Sequence, residues 1–294
     1  MRRSVFIGQP VMNYRHAFHA GGFADVLKHA ALVRILIHLG EKPAPFRVID
    51  THAGAGLYDL SGGEANRTGE WRDGIGRLVA ASLAPSAQAL LAPYLTAVAQ
   101  FSAGEKPHTY PGSPALAASQ LRPQDRLIAC ELEPEAARML AGHFHGDDRV
   151  KVIAIDGWMA ANAYIPPKER RGLVLIDPAF EQTGEFDRLA ETFIAAHRKW
   201  PTGIFMLWHP IKKRAEADAF ARRLARSGIA KMLHAELSIA PPRDAERLGA
   251  CGLVIASPPW KLESELAVIL PALADALGRD RGGGYQLDWL APEK

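Results

Sequence analysis

Seven short apolar runs constrain this chain more than any other feature. They lie at 46–49, 127–130, 150–155, 173–176, 203–208, 232–239 and 252–256, and they are rich in β-branched residues and nearly continuous. A strand reads this way when both its faces are buried, as in a parallel sheet covered by helices. Helical patterns lie between most of the runs, and strand alternating with helix predicts a doubly wound α/β sheet. Ahead of the first run, Val26, Leu27, Ala30, Ala31, Val33, Ile35, Leu36 and Leu39 fit one helix over 24–39, and Gly40 suits its end. The interval between 49 and 127 is the longest. Its alanine- and leucine-rich stretch 69–102 predicts a small helical insertion near 62–112, returning through 109–114. A chain of 294 residues can bury a large core, and one domain, 1–294, accommodates all of this.

Composition matters mainly for what it sets aside. Hydrophobic residues make up 48% and charged residues 23%, ordinary values for a globular protein. The formal net charge of +3 permits an anionic partner such as nucleic acid without requiring one. Basic groups cluster at Arg67/Arg72/Arg77, Lys168/Arg170/Arg171, Lys212/Lys213/Arg214 and Arg222/Arg223/Arg226, each most simply a solvated face unless several meet at one cleft. Cys130 and Cys251 each sit in an apolar run and read as buried free thiols. There is no apolar stretch of membrane-spanning length and no signal-peptide core at the start, so a cytoplasmic protein is expected. His16, His19 and His29 lack the matched cysteine or carboxylate set of a metal site, and no metal is expected.

The chemistry-bearing residues fall at ends of the predicted strands. Asp50 ends the first and leads into Gly54 and Gly56, a turn in which backbone can approach a ligand closely. A nicotinamide-binding turn would have a third glycine, which this one lacks. Glu131 ends the second strand, where a carboxylate can accept both ribose hydroxyls of a nucleoside. Asp156 ends the third, placed to accept from an adenine amino group, and Gly157 allows close approach. Asp177 ends the fourth, followed by Pro178, Ala179 and Phe180. A carboxylate and the next backbone carbonyl can accept both N–H bonds of an adenine N6, while an aromatic stacks on a flipped-out base. Four strand-end acids in order match the ligand edge of an open α/β sheet. They point to methyl transfer from S-adenosyl-L-methionine to an adenine amino group. Ser257-Pro258-Pro259-Trp260 fits the same polar-proline-x-aromatic pattern but stands after the series.

The block from Met12 through Tyr14, His16, His19, Asp25 and Lys28 to His29, together with the Asp50–Gly56 turn, Tyr110-Pro-Gly-Ser113, Glu131, Asp156-Gly157 and the 177–181 segment, closely resembles the RlmJ family of 23S rRNA adenine-N6 methyltransferases. The resemblance runs from residue 12 to about residue 263. It implies a Rossmann-like class I methyltransferase with a helical insertion, acting as a monomer on an adenine at position 2030 of 23S rRNA. It further implies cofactor contacts from Lys28, His29, His52, Ser113, Glu131, Asp156, Gly157 and Asp177, with Asp177 catalytic. Tyr14 and His16 would lie on the substrate side with Phe180. The family usually has a second proline where this chain has Ala179; the Pro178 carbonyl remains available. Residues 1–11 precede the matching block, carry no motif, and are expected to be a disordered extension. Two alternatives stay open: an adenine-N6 methyltransferase acting on DNA, and an RNA-binding relative weakened in catalysis.

Overall fold

A computed structural model describes residues 15–102, 108–240, 248–279 and 283–292. All seven apolar runs are strands of one sheet. They are β1 (Arg47–Asp50), β4 (Arg126–Glu131), β5 (Val150–Ala154), β6 (Gly172–Ile176), β7 (Ile204–Pro210), β8 (Met232–Ser238) and β9 (Ala250–Ala256). An eighth strand, β10 (Gly284–Ala291), closes one edge. The order is β10-β8-β9-β7-β6-β1-β4-β5. β1, β4, β5, β6 and β7 pair in parallel, whereas β9 runs antiparallel to both β7 and β8, and β10 antiparallel to β8.

Chain order reverses direction at β1: β4 and β5 lie to one side of it, β6 and β7 to the other. That switch point opens a crevice outside the carboxyl ends of the strands. Every residue of β6 and β9 is buried, which explains why these runs read as continuous rather than alternating.

Helices cover both faces. α1 (Phe23–Gly40) is buried nearly all round, as expected of a helix enclosed on every side. It packs against α5 (Ser113–Gln120), α10 (Leu262–Leu277) and α4 (Pro85–Gln100). Its outer end is tied by Arg34 Nε and Nη2, which donate to Glu265 at 2.9 and 2.5 Å. On the other face α8 (Glu185–Lys199) turns Leu189, Ala190, Phe193 and Ala196 inward.

The long interval leaves the sheet through a two-stranded ribbon, β2 (Leu57–Asp59) against β3 (Thr109–Pro111). Between them come α2 (Gly63–Thr68), α3 (Arg77–Ala80) and α4. Leu78, Leu91, Tyr94 and Val98 belong to the same apolar core as α1 and the sheet. No described helix is long and apolar enough to cross a membrane. Tyr14 and the segment 1–11 lie outside the described residues.

Candidate active site

Two adjoining cavities open at the switch point. The first, of about 340 Å³, is lined by the β1 loop His52–Ala55 (52–55), by Ser113 at the start of α5, by Glu131, and by Lys28, Asp177 and Ala179. The second, of about 250 Å³, is walled by Phe23, Phe180, Trp208, Ile239 and Leu248. His16, Lys28, Asp177 and Ala179 line both, so they mark the junction.

The β1 loop depends on its first glycine. Gly54 has φ +61°, in the left-handed region, and a Cβ there would lie 2.1 Å from Tyr58 Oη. Its amide donates to Glu131 Oε2 at 2.8 Å, while Glu131 Oε1 accepts from the Glu133 amide at 2.8 Å. Burial pushes the Glu131 carboxyl above its ordinary pKa, offset in part by those two amides. Asp50 lies behind the loop, fully buried, and accepts from Ser113 Oγ at 2.6 Å.

At the junction Lys28 Nζ donates to Asp25 Oδ1 at 2.8 Å and to Asp177 Oδ2 at 2.5 Å. Burial alone would lower the Lys28 pKa, but the Asp177 and Asp25 carboxylates outweigh it and hold the ammonium charged. Asp25 Oδ2 is 2.9 Å from His16 Nε2 and accepts from the Gly21 amide at 3.0 Å. Asp177 Oδ1 has no hydrogen bond among the described residues, and Asp177 lines both cavities. Phe180 adopts φ 52° and packs its ring on Phe186 (4.9 Å between centroids) and Trp208 (5.8 Å), forming a firm aromatic wall.

The expected site residues thus divide. Lys28, His52, Ser113, Glu131 and Asp177 line the first cavity, and His16 and Phe180 the second. His29 does not line either cavity: it points into the core, its Nδ1 2.7 Å from Tyr110 Oη, and burial pushes its pKa well down. His29 sits one position round the helix from Lys28, on the side that faces Tyr110. Asp156 and Gly157 also stand back from the cavity wall. Asp156 caps α7 (Gly157–Ala163) by accepting from the Trp158 amide at 2.8 Å. Gly157 abuts the β1 loop, where a Cβ would lie 2.2 Å from Thr51 O and 2.6 Å from His52 Nε2. Of the three histidines considered for a metal, His16 meets Asp25, His19 meets Glu70 at 3.0 Å, and His29 meets Tyr110 and lies 3.8 Å from Asp25.

Three contributors carry no assignment from the sequence: Asp25, Tyr58 and Trp208. For Asp25 a signal exists in the spacing, since Lys28 and His29 stand three and four residues on along one helix face.

A doubly wound sheet with an antiparallel strand inserted beside its last parallel one, and a polar junction between two cavities at its switch point, is the Rossmann-like fold of the class I methyltransferases. Residues 43–291 match the model of the family described as "Ribosomal RNA large subunit methyltransferase D, RlmJ". The chain is 38% identical over 284 residues to the Haemophilus influenzae protein named ribosomal RNA large subunit methyltransferase J, covering 96% of this chain and all of that one. The protein of that name from Escherichia coli is 38% identical over 283 residues with the same coverage. Protein LPL1258 from Legionella pneumophila, of solved crystal structure, superposes with a TM-score of 0.85 at 33% identity over 92% of this chain and 98% of that one. The chain belongs to the RlmJ methyltransferase family.

Proposed function

We propose that this protein transfers a methyl group from S-adenosyl-L-methionine to the N6 of an adenine in 23S rRNA, at nucleotide 2030 as the family resemblance implies. One observation carries the reading: Asp177 stands where the two cavities meet, with Oδ2 taken by Lys28 and Oδ1 available.

The first cavity suits the cofactor. Its volume is in the range of small-molecule sites. Among the described residues, Asp59, Glu64, Glu131, Glu133, Glu135 and Asp177 line it against Arg15 and Lys28 as lysine or arginine cations, an excess of negative charge that favours a sulfonium ligand. Glu131 would accept from the ribose hydroxyls and His52 would flank the adenine moiety, with Asp156 and Gly157 holding that loop in place. When bound, the cofactor supplies an electrophilic methyl group.

The second cavity suits a flipped-out base. Phe180 would stack on the adenine, and Asp177 Oδ1 with the Pro178 carbonyl would accept the two N–H bonds of N6, directing its lone pair toward the methyl donor. Lys28 occupies one oxygen of Asp177 and leaves the other for the substrate. The proton released from N6 after transfer leaves by way of Asp177 or water.

The test is transfer of tritiated methyl groups to total RNA and to DNA from cells lacking this protein, followed by nucleoside analysis. The expected result is N6-methyladenosine in 23S rRNA, with Asp177→Ala slower by at least about a hundredfold, as for the loss of an oriented electrostatic partner. Label entering DNA in preference would establish the DNA reading instead. Turnover by Asp177→Ala near the wild-type rate would move the acceptor elsewhere.

A further inference from the structure

We propose that Asp25 is a positioning residue for methyl transfer: it holds Lys28 against one oxygen of Asp177 so that the other oxygen stays free for the substrate, and it anchors His16 at the junction of the two cavities. The proposal rests on the reading of Asp177 as acceptor given above.

Asp25 lies in the first turn of α1 and is 3% exposed, yet its carboxylate is among the most heavily engaged in the protein. Oδ1 takes Lys28 Nζ at 2.8 Å and lies 3.8 Å from His29 Nε2. Oδ2 takes His16 Nε2 at 2.9 Å and the Gly21 amide at 3.0 Å. Burial would neutralise a lone carboxyl here, but nearby His16 and Lys28 keep it ionised, well below the usual carboxylate range. A solvated acid in a first helical turn would serve only the helix dipole and would gather no such set.

The geometry shows what this anion does. An ammonium has three N–H donors and no fixed plane. Flanked by two carboxylates, Lys28 is drawn between them and reaches only Oδ2 of Asp177. Without Asp25 the ammonium has one anion left and is drawn across both oxygens of Asp177, competing with the adenine amino group. His16 loses its Asp25 contact in the same step. One side chain thus joins the segment before α1 to the acceptor, through His16, Asp25, Lys28 and Asp177.

The experiment is a double-mutant cycle on the full chain, with methyl transfer to total RNA from cells lacking the protein. Asp25→Asn is expected to lower kcat by about tenfold to a hundredfold while leaving KM for RNA within about threefold, as for loss of an interaction that matters in the transition state. In a Lys28→Met background the same substitution is expected to cost no more than about threefold, the remainder that passes through His16 and not through Lys28. Losses that simply multiply, or full kcat in Asp25→Asn, overturn the proposal. If Asp25→Asn loses its melting transition, Asp25→Glu, which keeps the charge but displaces it, takes its place: a folded variant slower by about tenfold is expected, and full kcat overturns the proposal. Asp177→Ala run alongside separates the two readings. Retained turnover there removes the acceptor assignment, whereas lost turnover with an additive cycle removes only the role of Asp25.

Discussion

A single buried carboxyl illustrates how much one residue can hold in reserve. Asp50 is 1% exposed and accepts from Ser113 Oγ at 2.6 Å. Burial pushes its pKa from 3.8 to about 7, against the opposing pull of the Ser113 hydrogen bond. The folded pKa lies above the unfolded one. Stability from the retained proton is therefore fully present below the unfolded value and is lost as pH rises through about 7. Asp50→Asn cannot lose that proton. Between pH 5 and pH 8 the wild type should thus give up as much as about 3 kcal/mol that the asparagine variant keeps. Urea unfolding of both proteins at the two pH values measures the difference, and parallel losses would show that Asp50 is already ionised in the fold.

At the scale of elements, the first cavity, proposed above for the cofactor, depends on how closely α7 approaches the β1 loop. The start of the helix is set by Asp156, which caps it, and by Gly157, where a Cβ would run into Thr51 O and His52. His52 also packs edge-on against Trp158, with centroids 5.3 Å apart. A methyl group at position 157 has no room, so Gly157→Ala must push apart the helix and the loop. A cost of about 1–3 kcal/mol is expected, as for other overpacked sites, together with at least a tenfold loss in affinity for S-adenosylhomocysteine. Calorimetry tests this directly; unchanged affinity would place the cofactor away from the β1 loop.

The whole molecule decides between the two proline-aromatic motifs. Asp177 follows a strand parallel to β1 and so emerges at the crevice. Ser257 follows β9, which runs the other way: Ala256 pairs with Phe205 and Met232, near the opposite ends of β7 and β8. The second motif therefore sits on the far edge of the sheet, with Trp260 83% exposed. Ser257→Ala and Trp260→Ala are each expected to leave methyl transfer within about twofold of wild type, as surface substitutions away from a site generally do. A loss comparable to that of Asp177→Ala would require the substrate to reach both edges.

The strands with two buried faces were legible from residues alone, because burial on both sides writes itself as an unbroken apolar run. So were the acids that end β1, β4 and β6, since a carboxylate closing such a run marks the ligand edge. The edge strand β10 was not, because it is half exposed and lacks such a run, and β2 and β3 are only three residues each. Direction and depth belong to the tertiary structure. Nothing local to residues 250–256 distinguishes an antiparallel strand from a parallel one, since all seven residues are buried either way. Helical periodicity puts Lys28 and His29 side by side, yet only the packing of Tyr110 against α1 turns His29 into the core and leaves Lys28 facing Asp177. A sequence records which residues shun water and which carry charge. Which charges meet depends on the distance between segments far apart in the chain, and folding alone sets that distance.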